Sequence, residues 1–200
     1  MNNFLVYYLP LFLIVYLLIT FVLPSVRVYR QTGINPVTFG KTDNAHDYIG
    51  AIMKLLTGLL AVTVLVFAIS SNVYSYFVPV PYLLLPGIQY TGFIMIHLSL
   101  VWIVIAQRQM NRSWRIGIDE KNKTALVTHG LFAVSRNPVF LGMIISTLGI
   151  FLLLPNAVTF FITICTYIVI QIQIRLEEEF LLKQHGDTYI AYKKKTGRLF

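Results

Sequence analysis

Charge is what this chain has least of. Charged residues occupy 12% of its 200 positions, where a soluble domain carries about 25%. No Lys, Arg, Asp or Glu occurs between Lys54 and Arg108. A stretch that long cannot fold in water without exposing much apolar surface, and roughly 20 apolar residues already span a bilayer. Cysteine is also scarce. The single Cys165 lies in an apolar run, which excludes an internal disulfide and a cysteine-based zinc site, and it reads as a small buried hydrophobe. No metal site is expected. No basic residue precedes the first apolar run and no small-residue cleavage site follows it, so that run is expected to be a retained span rather than a secretory signal.

What is present agrees. Apolar residues make up 56% of the chain, mean hydropathy is +0.71 and the pI is about 9.6. In a soluble chain a net charge of +8 points first to nucleic acid. Here the basic residues flank apolar runs, where a topology signal and attraction to anionic lipid explain them better. The expected partner is the bilayer, with no nucleic acid. The length suits one domain.

Residues 4–23, bounded by Pro24, read as the first span, with Pro10 tolerated because neighbouring helices can re-satisfy the freed carbonyl. Residues 25–47 read as a polar loop, whose stretch NPVTFGKTDNAHD is either a ligand contact or an ordered surface segment, and in which Asp43 or Asn44 caps the next helix. Residues 49–70 form a second span, with Lys54 snorkelling from inside it. The uncharged connection 71–82 brings Tyr74, Tyr76 and Tyr82 to an interfacial belt. Residues 83–106 form a third span containing His97, which is either a functional group or a hydrogen-bonded tie between helices. Residues 139–154 and 157–174, joined by Pro155-Asn156, predict an αα-hairpin. Its first arm has 16 residues, about 24 Å of helix, short for a core of about 30 Å. From Arg175 the chain turns amphipathic: the fifth helix leaves the membrane, breaks near Gly186 and resumes as a surface helix ending in Lys193, Lys194 and Lys195, where cations suit the helix dipole.

The predicted fold class is therefore all-α: a polytopic integral membrane protein of about five transmembrane helices, with a C-terminal helical hairpin and a cytosolic cofactor site. Residues 1–106 hold three spans and residues 107–200 the cytosolic segment, hairpin and tail. Loop 25–47 carries three Lys or Arg, segment 107–137 six and the tail from Arg175 six, and with Lys54 these are all sixteen. Every basic connection falls on one side of the alternation. The positive-inside rule then puts the N-terminus outside and the C-terminus in the cytosol, at the inner membrane if the chain is bacterial.

That topology brings segment 107–137 and the helix end 175–186 to one membrane face. Cations stand on one wall and carboxylates on the other, polar above and apolar below, which suits a charged water-soluble cofactor and a lipid-like substrate. In GLFAVSRNPVFLG, Pro138 fits the first helical position and restricts Asn137 to an extended conformation. Asn137 can then cap the helix, whose first amides offer an anion site. Gly130 and Gly142 permit close backbone approach. Glu177, Glu178 and Glu179 point about 100° apart on a helix, so at most two face one cleft. Their partner is a cofactor ammonium or ribose, or one of Arg136, Arg175 and Lys183.

LVTHGLFAVSRNPVFLG resembles the signature of the isoprenylcysteine carboxyl methyltransferase family, usually Leu-Val-x-x-Gly-x-Tyr-x-x-x-Arg-His-Pro-x-Tyr-x-Gly. EEEFLLKQHGDTYIAYKKKTGRLF resembles that family's tail, and NRSWRIG the Ser-Trp element of its prokaryotic members. The likeness covers residues 107–200. It implies a helical membrane bundle whose C-terminal half binds S-adenosylmethionine from the cytosol and releases S-adenosylhomocysteine. The implied acceptor is a lipophilic small molecule or a lipidated substrate. By position it implies that Thr124, Ala125, Leu126 and Val127 line the cofactor site and that Gly130 shapes the loop. Phe132 stands where tyrosine is usual, and Asn137, Pro138, Val139 and Phe140 match His-Pro-x-Tyr. Glu177 takes the acidic contact, with Glu178 beside it. Arg136, which holds a carboxylate or the local fold, and Arg175 are the candidate catalytic residues.

Four positions depart from the pattern. Asn137 cannot titrate near neutral pH as His can. Phe132 and Phe140 lack the hydroxyls. Gln173 occupies the place of the arginine that prenylcysteine enzymes direct at the substrate carboxylate, and Arg175 points about 200° from it. The acceptor thus stays open among an isoprenylcysteine-like carboxylate, a phospholipid amine and a small thiol. The alternative outside methyl transfer is a sterol-reductase-like membrane reductase using NADPH.

Overall fold

The structure, a computed structural model, describes residues 2–39, 44–119 and 122–200. Lys41, Lys121 and the alternative cap Asp43 lie outside the described residues. The described residues are mainly helical: α1 (Asn2–Leu17), α2 (Leu23–Thr32), α3 (Ala45–Ile69), α4 (Ser71–Ser75), α5 (Pro86–Met110), α6 (Pro138–Leu153), α7 (Ala157–His185) and α8 (Asp187–Lys195). Among the described residues, four stretches are long and apolar enough to cross a membrane: Asn3–Thr32, Ala45–Ile69, Pro86–Ser113 and Ala157–His185. With the shorter α6 they make the five hydrophobic units read from the sequence. The apolar side chains divide as a bilayer requires. Leu5, Leu9, Val64, Ile96, Leu153 and Ile162 fill the bundle interior, while Leu11, Ile14, Leu55, Leu98 and Phe161 point outward, where lipid replaces water. The chain is a multi-pass integral membrane protein.

The first span departs from expectation. It does not stop at Pro24 but runs to Thr32, ending on Gly33 in the left-handed region at φ +70. Proline cannot donate to the carbonyl four residues back, here that of Thr20. Two devices compensate. Residues Leu18–Val22 form a π-helical turn, with the Leu23 amide donating to Leu18 O. Gln107 of α5 donates its side-chain Nε2–H to Thr20 O at 2.7 Å. Both Gln107 and Thr20 are buried. Gln107→Leu removes the donor at nearly constant volume and is expected to cost about 1 kcal/mol. Thermal unfolding in detergent measures this, and an unchanged melting temperature would show that Thr20 O is satisfied elsewhere.

α5 and α6 run antiparallel and very close, because the residues between them are small. A Cβ on Gly92 would lie 2.7 Å from Gly149 O, and one on Gly142 would overlap Ile103. Between these contacts Ser99 and Ser146 share a hydroxyl hydrogen bond of 2.7 Å. Trp102 donates to Pro138 O at 3.0 Å, fixing the first turn of α6.

At the far end the hairpin turn is bolted down. Asn156 and Thr159 form a capping box on α7. Asn156 also donates to the Tyr74 hydroxyl at 3.1 Å, and the Val80 amide to Pro155 O at 2.8 Å. Tyr76 and Tyr82 stay exposed. His97 bonds the Tyr8 hydroxyl through Nε2 and Phe93 O through Nδ1 at 2.7 Å, so it ties α1 to α5. Asn44 caps α3, accepting from the Asp47 amide at 2.8 Å. α7 runs unbroken to His185, and Gly186, at φ +52, makes the expected break.

Candidate functional site

A cavity of about 410 Å³ opens where the π-turn, the start of α3, the end of α5, the start of α6 and the later turns of α7 converge. Its walls are mostly apolar, with Phe39, Met53, Trp114, Phe132, Phe140 and Met143 among them. Lys54, Gln107, Arg115, Arg136, Asn137, Gln173 and Glu177 supply the ionisable and side-chain amide groups.

One wall comes from pairing across the two polar segments. The Ile116 amide donates to Pro36 O at 2.8 Å and the Thr38 amide to Ile116 O at 3.0 Å. The Ile118 amide donates to His46 Nε2 at 2.9 Å. Phe39 stacks on His46 with ring centroids 4.3 Å apart and lies over Gly50, where any side chain would collide with it. Val37 and Phe39 therefore face the cavity, in a segment the sequence presents as a polar loop.

The opposite wall is the motif loop, gripped by the C-terminal tail. Gly130, at φ +61, sits on the Gln109 side chain, whose Oε1 accepts from the Leu131 amide at 2.9 Å. The Arg136 amide donates to Gly197 O at 3.0 Å, and the Tyr192 hydroxyl to Phe132 O at 2.6 Å. Burial pushes the Tyr192 hydroxyl up to about 12, so it remains a donor at physiological pH. Asn137 occupies the N-cap position of α6 but makes no side-chain cap, contrary to expectation. With ψ at 56, its side chain turns to the tail and donates to Arg198 O at 3.0 Å.

The three glutamates go three ways, as helical spacing demands. Glu177 faces the cavity and accepts from Gln173 Nε2 at 3.0 Å. Glu178 is not in the cavity. Arg136 Nη2 reaches its Oε1 at 2.7 Å, and Arg198 Nη2 its Oε2 at 2.8 Å. Arg136 also donates to the carbonyls of Lys193 and Thr196, so the clamp joins the motif, α7 and the tail. Glu179 pairs with Lys183 at 2.7 Å on the surface, both well exposed, an arrangement worth little.

Of the residues singled out in the sequence, Phe132, Arg136, Asn137, Pro138, Val139, Phe140 and Glu177 converge on the cavity. Arg175 does not. It is exposed and bonds Gln171 one turn back, on the helix face away from Gln173. Thr124, Ala125, Leu126, Val127 and Gly130 lie outside the cavity lining. Thr124 O instead accepts from Gln184 Nε2 at 3.4 Å, near the end of α7. The sequence carries no sign of Gln107, whose role depends on a distant partner, and shows Phe39 only as part of a polar loop and Trp114 only as part of the Ser-Trp element. Lys54 stands out in it only as a snorkelling residue.

Gln173 Oε1, Gln184 Oε1 and His185 Nε2 are buried without a hydrogen-bond partner among the described residues. Buried polar atoms are ordinarily paired. Gln173, Glu177 and Gln184 fall within about 40° of one another around α7, so two of these orphan acceptors share a face with the cavity's carboxylate.

An all-helical membrane bundle with this motif, hairpin and tail is the architecture of an integral membrane methyltransferase. The fold matches that of the eukaryotic intramembrane Ras methyltransferase, isoprenylcysteine carboxyl methyltransferase, solved without a monobody. The TM-score is 0.56 over 95% of this chain and 72% of that one, at 18% identity. The phospholipid methyltransferase family profile matches residues 88–188, just over half of the chain, and the chain belongs to that family. No curated protein matches it by sequence.

Proposed function

We propose that this chain transfers a methyl group from S-adenosylmethionine to a lipid acceptor at the cytosolic membrane face. Its N-terminus would lie outside and its C-terminus in the cytosol, at the inner membrane if it is bacterial. The observation that carries the reading is the composition of the cavity, which joins a carboxylate and an orphan amide oxygen to a mostly apolar space. The volume falls within the range of small-molecule sites. The donor offers an ammonium, hydroxyls and an adenine amine, which match acceptors at Glu177 and Gln173 in the cavity. Residues 107–200 would supply the donor side, with Phe132 and Phe140 covering it. Bound there, the donor supplies a methyl group already activated on a sulfonium.

The residues of the chain then have three tasks. Glu177 holds positive charge by a charge-assisted contact. The aromatic walls exclude water and strengthen that contact. Arg136, occupied by Glu178, fixes the loop that leads through Asn137 into the first turn of α6 and Phe140, which favours a positioning role over contact with the acceptor.

The lipid acceptor is supported by what lies below. A second, smaller cavity of about 60 Å³ shares Leu17, Phe21, Met53, Thr57 and Met143 with the first and continues between α1, α3, α6 and α7 among Leu56, Leu60, Ile150 and Ile162. The first three spans, residues 1–106, would thus close the acceptor side. Membership of a methyltransferase family favours methyl transfer over an NADPH-dependent reduction. Membranes carrying the protein, incubated with methyl-labelled S-adenosylmethionine, are expected to move label into the organic phase of a lipid extract. Label confined to water-soluble products would contradict a lipid acceptor.

A further inference from the structure

Lys54 is the last charge before a long uncharged stretch. It stands nine residues after Ala45, the first residue of α3, about 14 Å along that helix. It lines the cavity together with Arg115, Arg136 and Glu177. Arg115 is paired with Asp119 at 3.1 Å and Arg136 with Glu178 at 2.7 Å. Lys54 is thus the one cavity cation that makes no ion pair among the described residues. The cavity's carboxylate, Glu177, is on α7, engaged by Gln173. A cation within a membrane span is costly and marks a functional contact when it faces a cavity.

We infer that Lys54 determines acceptor specificity by pairing with an anionic oxygen group, a phosphate or a carboxylate, on the lipid to be methylated. The inference deepens the reading above and rests on it for the word acceptor. If Glu177 takes the positive charge of the donor, Lys54 is left to meet a negative charge on the other substrate. The Met53 and Thr57 walls on either side of it continue into the smaller apolar cavity, so a lipid chain can lie below while its acidic head meets the ammonium. This also supplies a cation to a cavity where Gln173 stands instead of arginine, from a helix with no counterpart in the motif.

The test is binding, independent of turnover. The full chain in neutral detergent is titrated with a short-chain phosphatidic acid, a fatty acid of matched length and a neutral diacylglycerol, and separately with S-adenosylhomocysteine. The wild type is expected to bind at least one anionic probe about tenfold more tightly than the neutral one, and which one it prefers identifies phosphate or carboxylate. Lys54→Met, which keeps length and apolar character, is expected to abolish that preference and leave homocysteine-product affinity unchanged. Lys54→Arg is expected to restore it. An undiminished preference in Lys54→Met overturns the inference, as does an equal loss of S-adenosylhomocysteine affinity, which would assign the lysine to the donor. If the wild type binds the anionic lipid but not S-adenosylhomocysteine, the donor reading falls and the anion site stands.

Discussion

Glu178→Ala is expected to lower the stability of the protein by about 3–5 kcal/mol, because it strips the carboxylate from two guanidinium groups at once. Glu178 is only 6% exposed, and the Arg136 side chain 7%. Arg136 would keep its bonds to the carbonyls of Lys193 and Thr196 but hold an uncompensated buried charge. The loss then spreads, since Arg136 and Asn137 carry the bonds from the motif to Gly197 and Arg198. Arg198→Ala makes the control. The Arg198 side chain is 35% exposed, so water can replace part of its contact and the expected cost is about 1 kcal/mol or less. Thermal unfolding in detergent separates the two variants, and equal melting temperatures would contradict the clamp.

Glu177→Gln has the opposite signature. Among the described residues the carboxylate accepts a hydrogen bond only from Gln173 Nε2, which is a poor return for taking a charge out of water. Its neutral isostere is expected to melt at the same temperature or slightly higher, and to bind S-adenosylhomocysteine at least about tenfold more weakly through loss of a charge-assisted bond. A gain in stability with a loss of affinity is the pattern of a group retained for function. A variant that loses stability and keeps affinity would make Glu177 a structural residue.

The two neighbouring glutamates also show what a sequence can and cannot carry. Helical geometry gives the angle between Glu177 and Glu178 but no origin for it. Which one faces the cavity depends on Arg198, whose position is set by a tail folded back over the motif. The membrane layout was far more legible. A bilayer forces long uncharged helices and sorts basic residues to one side, so the spans and the hairpin follow from the gaps between charges. Pro24 misled because proline reads as a helix stop, while Gln107 and the π-turn, far apart in sequence, satisfy the backbone around it. Phe39 and Trp114 joined the site through pairing between segments almost eighty residues apart, and nothing local to either segment announces that. Conversely, the Arg136–Phe140 run was legible from the motif and from Pro138 opening the helix, although the Asn137 cap expected beside it does not form.

Whether the cavity facing Glu177 takes the methyl donor is tested by calorimetric titration of the wild-type chain in detergent with S-adenosylhomocysteine and, separately, with NADPH. Saturable binding of S-adenosylhomocysteine, weakened in Glu177→Gln and with no heat from NADPH, is the predicted result; binding of NADPH alone would contradict it.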